Sequence, residues 1–394
     1  MSLYVKTEQN FLHKRITIVG IFTFNNKKLD LRLSIVILSL VFLIGCNDDP
    51  GGMATGKDLR DINYNPVLVD LEIPERFPIF EQPEDNLLTK DGIQLGRHLF
   101  YDPILSRDES QSCSSCHLQQ GSFTDNLAVS EGVDNIAGRR SSMSLLNVGF
   151  FYTGLFWDGG VNTLEEQALL PIEDPIELHT TWPEVIVKLS DSPKYQELFR
   201  KAFGIENSAE ITKELAAKAI AQFERTLISS GNSKYDRVKT GQIIFSDKEQ
   251  IGHDIFFDLD PFFLPDGQCF HCHSDPLFTD GTYLNNGLTE ADDFSDFDDL
   301  GRGEETGVII ENGKFRVPTL RNIVHTAPYM HDGRFETLEE VMAHYNSGGH
   351  PSIGKSPFMD SISLTEFQTE AVIDFLHTLT DEDFMSDPRY SDPN

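Results

Sequence analysis

The chain has 394 residues and a formal net charge of −31, from 63 Asp and Glu against 32 Lys and Arg. That imbalance excludes nucleic acid as a partner and favours a basic protein or a small neutral substrate. Residues 1–45 hold six Lys and Arg against two Asp and Glu, so the negative charge belongs to the remainder.

Taken in chain order, the first distinct element is Leu33–Ile44, twelve mostly apolar residues preceded by Lys27, Lys28 and Arg32. It is too short for an ordinary membrane-spanning helix and reads as a secretory signal. Its end, Leu43-Ile44-Gly45-Cys46, resembles a bacterial lipobox, which implies cleavage after residue 45, lipidation of Cys46 and an extracytoplasmic lipoprotein, periplasmic or anchored to the outer membrane. A signal peptide followed by an unrelated cysteine is the plainer reading. Residues 46–79 lack helical periodicity and are expected to form a flexible tether.

Cys113-Ser-Ser-Cys116-His117 and Cys269-Phe-His-Cys272-His273 use the other four of the five cysteines. Each Cys-x-x-Cys-His can hold a haem c by two thioether bonds, with the adjoining histidine on the iron. A disulfide, a zinc knuckle or a redox pair is the competing reading. A Cys₄ zinc site, however, does not require a histidine after the second cysteine of both pairs. Two covalently bound haem c groups are therefore expected.

Internal repetition organises the rest. Residues 94–102, QLGRHLFYD, precede the first motif as residues 250–258, QIGHDIFFD, precede the second. Phe123-Thr124-Asp125 and Phe278-Thr279-Asp280 follow them. Trp157-Asp158-Gly159 and His331-Asp332-Gly333 each lead, three residues on, to Thr-Leu-Glu-Glu. Helices are predicted over 214–227 and 364–379 from their apolar spacing, and Ser246 with Glu249 forms a capping box before another. Strand-like alternation is scarce. The expected fold is mostly α: two tandem cytochrome c-like haem domains related by internal duplication, 80–240 and 241–394, each of ordinary size.

The copies are most informative where they diverge. Five residues beyond each Thr-Leu-Glu-Glu element stand Pro171 and Tyr345. Proline cannot bind iron, whereas a tyrosine phenolate can. If this position overhangs the distal face, one haem is open and the other is capped. Met330 and Met342 remain alternative ligands for the second iron.

These motifs, together with FWDGG, TLEEQA, PIEDPIE, FRVPTLRNI, TAPYMHDGRFETLEEV and HYNSGG, resemble the bacterial di-haem cytochrome c peroxidase and MauG family over nearly all of the chain beyond residue 80. The resemblance implies a peroxidatic N-terminal haem and a C-terminal haem that accepts and relays electrons from a small cytochrome or cupredoxin. It implies Gln167 and Glu177 as the distal amide and carboxylate, and Trp157 as a relay between haems. A carboxylate so placed can carry a proton between the two oxygens of hydrogen peroxide. The histidine that caps the peroxidatic iron in ordinary cytochrome c peroxidases corresponds to Val133, and the methionine on their second haem to Tyr345. Both changes are those of the MauG branch. The family's interdomain calcium implies carbonyls at Thr326 and Pro328, but Ser141 occupies the asparagine position, and a hydroxyl is the weaker ligand.

The first expectation is thus an oxidoreductase that reduces hydrogen peroxide to water. The alternative is a MauG-like oxidase acting on residues of a partner protein. A purely electron-transferring di-haem protein is opposed by Pro171, Val133 and Glu177. Membrane association would run through the lipid anchor, and a homodimer is left open.

Overall fold

The computed structural model describes residues 56–394. The apolar run, Cys46 and the boundary at residue 45 lie outside the described residues. Among those described, no helix is long and apolar enough to cross a membrane.

The first half is built from α1 (Lys90–Tyr101), α2 (Cys113–Cys116), α3 (Leu164–Gln167), α4 (Leu170–Glu173), α5 (Trp182–Asp191), α6 (Pro193–Phe203) and α7 (Lys213–Glu224). The second contains α8 (Lys234–Lys239), α9 (Asp247–Phe257), α10 (Arg302–Thr306), α11 (Leu338–Ser347), α12 (Glu366–His377) and α13 (Glu382–Ser386). Several of the helices begin where side chains satisfy the free N–H groups of the first turn. Thr89 Oγ1 accepts from Gly92 at 3.0 Å to start α1. Ser246 and Glu249 form the predicted reciprocal capping box of α9. The two Thr-Leu-Glu-Glu elements are helix starts as well: Thr163 caps α3, and Thr337 with Glu340 boxes α11.

Each half is centred on one helix crossing, α1 on α7 and α9 on α12. A glycine lies at each crossing, and a Cβ there would overlap a backbone carbonyl. Gly96 faces the Ala219 carbonyl and the Phe223 Cβ; Gly252 faces the Ala371 carbonyl and the Phe375 Cβ. The two pairs meet in the same register. Aromatic rings fill the space beside each crossing, with Phe100 against Phe223 at 5.2 Å and Phe256 against Phe375 at 5.1 Å. One short antiparallel pair, β1 (Tyr283–Leu284) with β2 (Phe315–Arg316), sets Arg316 beside Trp157, whose carbonyl accepts the Arg316 N–H at 2.7 Å.

Two expectations about organisation are corrected. The described part of the supposed tether is docked. Leu59 is fully buried in the first core, Leu59 N–H donates to Glu206 O at 2.8 Å, and Phe77 and Phe80 pack edge-on against Phe150. Extended chain lacks helical periodicity whether it is free or packed, so periodicity could not tell the two apart. The end of the chain also crosses the proposed boundary at 241. Phe384 and Tyr390 join a cluster with Phe100, Phe123 and Phe223 of the first half, and Tyr101 Oη donates to Tyr390 O at 2.5 Å.

Replacing Gly96 or Gly252 by alanine tests the crossings. Alanine gains up to about 1 kcal/mol in helix propensity, but forcing a methyl against a carbonyl costs about 1–3 kcal/mol. Each variant should therefore lose stability in chemical denaturation, and equal or greater stability would mean that the helices do not touch there.

Candidate active site

Two cavities lie beside the two Cys-x-x-Cys-His loops. The first, about 390 Å³, is lined by Cys113, Cys116 and His117 together with Gln167, Pro171 and Glu177. The second, about 230 Å³, is lined by Cys269, Cys272 and His273 together with Tyr345. Residues more than fifty positions apart in sequence thus meet in each cavity.

In the first loop α2 carries both cysteines, and His117 follows as its C-cap. Neither thiol is in a disulfide, and burial raises the Cys116 thiol to about 11 and Cys113 higher still. His117 Nδ1 lies 2.8 Å from Phe123 O and 3.2 Å from Ser142 Oγ. An Nδ1–H that donates to the carbonyl leaves Nε2 as the free donor atom for a metal. Burial lowers the His117 pKa and so keeps the ring neutral, as a ligand must be. The second loop repeats this arrangement: His273 Nδ1 lies 3.0 Å from Phe278 O, and burial lowers its pKa too. Unpaired thiols, a free Nε2 and an adjoining cavity all fit a covalently held haem c in each half.

Opposite these loops the two cavities differ. Gln167 ends α3, Pro171 lies in the first turn of α4, and Glu177 follows in the loop. Burial and then Asp174 push the Glu177 carboxyl up to about 7. The Glu177 carbonyl accepts the Val133 N–H at 2.9 Å. Val133 itself does not line the cavity; Ser130, Glu131 and Gly132 do. The Val133 segment therefore supports the Glu177 loop, and among the described residues His117 is the only histidine lining this cavity. In the second cavity Tyr345 projects from α11, half-buried. Burial raises its phenol, and a hydrogen bond with Asn286 opposes that shift. Met330 and Met342 line the same cavity, as does Met359, which no motif marks. The Asn286 amide lies 3.5 Å from Met330 Sδ.

Trp157 borders both cavities, with Ser141, Ser142, Met143, Ser144, Phe151 and Arg316. Its indole N–H donates to Ser141 O at 2.9 Å. His331, at the matching position of the second half, lines only the second cavity and stacks on Phe315 with centroids 3.5 Å apart. Thr326 and Pro328, the expected calcium residues, line the second cavity. Ser141 Oγ donates to Met330 O at 3.0 Å, and the Asn126 amide donates to His325 O and Ala327 O at 2.7 and 2.9 Å. Asn126 was not marked by any motif. Among the described residues no three His, Cys, Asp or Glu side chains gather as a metal site.

The family model for di-haem cytochrome c peroxidase matches residues 90–243. The methylamine utilization protein MauG of Methylorubrum extorquens is 34% identical over 311 residues, which is 78% of this chain and 83% of that protein. The cytochrome c551 peroxidase of Nitrosomonas europaea is 34% identical over 291 residues, covering 74% and 80%. Among solved structures, a MauG-like protein associated with microbial copper homeostasis superposes with a TM-score of 0.75 at 34% identity, covering 82% of this chain and 99% of that one.

The displaced Glu177 carboxyl has a consequence for stability. Between the ordinary carboxylate range and about pH 7 the folded chain keeps a proton that the unfolded chain releases. The stability this contributes is full below the unfolded value and is lost as pH rises through the folded one. Glu177→Gln should thus gain stability relative to the parent from about pH 4.5 upward, levelling near pH 7 at about 3 kcal/mol. A difference that does not vary with pH would show that Glu177 ionises freely.

Proposed function

The chain belongs to the di-haem cytochrome c peroxidase family, and from that premise we propose that it reduces hydrogen peroxide to water in the first cavity, with electrons that enter at the second. It is an oxidoreductase with haem c cofactors. When bound, the two haems supply the irons that cleave the O–O bond and take up electrons.

The observation that carries the reading is the contrast between the distal sides. Gln167, Pro171 and Glu177 line the first cavity, and Tyr345 lines the second. In this reading Pro171 would leave an iron held by His117 open on its other side, and Tyr345 would be a second ligand to an iron held by His273. Glu177, poised near neutrality, accepts a proton from the near oxygen of peroxide and returns it to the far one, so that water can leave. Gln167 orients peroxide by donating from its amide. Two electrons and two further protons complete the conversion of one peroxide to two waters. Trp157, bordering both cavities, is assigned as the relay between them. The donor is a small redox protein, cytochrome or cupredoxin, and a basic surface on it would suit the acidic chain.

The parallel crossings at Gly96 and Gly252 support descent of the two halves from one duplicated haem domain. Haem attachment through cysteines and the apolar run before Cys46 support an extracytoplasmic protein held by a lipid on that residue. Calcium near Thr326 and Pro328 is kept as part of the reading. A MauG-like oxidation of a partner protein is the second reading, favoured by Tyr345 in the second cavity and Trp157 in the wall.

Loss of a positioned acid–base group costs about 10²–10⁴ in rate. Glu177→Gln should slow the reaction with peroxide by at least the lower figure in stopped-flow measurements, with both haems still attached. Gln167→Ala should slow it less, because it removes orientation and no proton transfer. A Glu177→Gln protein that reacts at the parental rate would overturn the assignment. Phenolate stabilises ferric iron, so Tyr345→Phe should raise the reduction potential of the second haem and change its optical spectrum alone. An unchanged spectrum would pass the ligand role to Met330, Met342 or Met359.

A further inference from the structure

Glu224, the last residue of α7, lines the first cavity and has no part in the chemistry above. The residue is 4% exposed, and its Oε2 atom has no hydrogen-bond partner in the protein. Leaving a buried carboxyl oxygen unpaired costs about 1–3 kcal/mol, more if it is charged. A purely structural role does not require that cost. The second half shows the alternative. The shared register of the crossings aligns Phe223 with Phe375, so Glu224 corresponds to Leu376, which lines the second cavity. One cavity has a carboxyl where the other has an isobutyl group.

The surroundings leave this carboxyl free to change charge. Arg225 is committed to Glu165 of α3 through two hydrogen bonds of 2.7 and 2.8 Å. The buried face of α1 against α7 is Gly92, Leu95, Gly96, Leu99 and Phe100, and that of α6 is Tyr195, Gln196, Phe199 and Ala202, none of them charged. Asp174 and Glu177 line the same cavity from the loop after α4, Cys113 from α2, and Arg140, paired with Asp158, from the wall. Burial pushes the Glu224 carboxyl up to about 8, Arg225 opposing and Glu165 assisting. An electron added to a poorly solvated cavity favours proton uptake by such a group.

Taking the first cavity as the peroxide-reducing one, we propose that Glu224 is the proton-accepting carboxyl that accompanies electron entry into it. Where pH leaves Glu224 ionised, its carboxylate would bind one proton from solvent as a haem held in this cavity gains an electron. When that electron goes on to peroxide, the proton is released. Glu224 is thus a positioning residue for charge, distinct from Glu177, which handles the protons of peroxide itself.

The test is an optical redox titration of the purified di-haem protein at several pH values between about 6 and 10. The potential of the first haem should fall as pH rises above about 8, where Glu224 is ionised before the electron enters, approaching one proton per electron. Glu224→Gln and Glu224→Leu should both abolish that slope and leave the first haem with a higher potential than the parent at the alkaline end. Glu177→Gln should retain a slope, and the second haem should be unaffected throughout. Should Glu224→Leu fail to hold both haems, the nearly isosteric Glu224→Gln decides. A slope that persists in Glu224→Gln, or is absent from the parent, overturns the proposal. Persistence alongside parental peroxide reactivity rejects the proton site alone. A slope lost in Glu224→Gln while peroxide fails to react at the first haem rejects the cavity assignment and keeps the proton site.

Discussion

A backbone-to-backbone helix crossing, made twice, is the constraint on which the rest of the structure depends. At Gly96 and at Gly252 the helix before the haem loop lies against a carbonyl of the helix that closes its half, Ala219 in one case and Ala371 in the other. Only glycine allows that approach. The crossing fixes where α7 and α12 end, and with them Glu224 and Leu376 at the cavity walls. It also seats Phe100 and Phe256 behind the loops from which His117 and His273 emerge. Each histidine is then oriented by a carbonyl, Phe123 or Phe278, on the far side of its own loop.

On this common frame a few substitutions separate the two sites. Pro171 against Tyr345 decides whether the cavity wall offers a side chain with a donor atom for a metal. Glu224 against Leu376 places a carboxyl in one cavity wall and an isobutyl group in the other. Trp157 against His331 decides which half supplies the aromatic shared by both cavities. These residues leave both glycine crossings in place, although the element that carries Pro171 is split into α3 and α4 where α11 runs unbroken past Tyr345. Arg316 and Trp157 join the two sites at the wall, through the hydrogen bond from the Arg316 N–H to the Trp157 carbonyl.

What could be read in the sequence follows from how local each signal is. The Cys-x-x-Cys-His pentapeptides carry their chemistry within five residues, and the capping residues Thr163, Ser246 and Thr337 act over a single turn. Internal comparison was enough to pair Pro171 with Tyr345, and each lines its own cavity. Gln167 and Glu177 were legible only by resemblance, since nothing local distinguishes a buried carboxylate in a chain so rich in acids. Glu224 was missed for that reason, lying in the helical run ELAAKAIAQFE. Met359 and Asn286 come from loops without periodicity. The docking of Leu59 and the return of Phe384 and Tyr390 to the first half are long-range contacts, which no local pattern encodes. Val133 was assigned by correspondence to the place of a ligand, yet its backbone supports the Glu177 loop while its neighbours line the cavity.

The central claim is that the first haem has one protein ligand and the second has two. Electron paramagnetic resonance of the purified ferric protein, without added ligands, tests this most directly, because spin state reports axial coordination at each iron. The account predicts one high-spin signal, from the haem held by His117, and one low-spin signal, from the haem held by His273 and Tyr345. Two low-spin signals would contradict it, because a second side chain would then have to cap the iron beside Glu177.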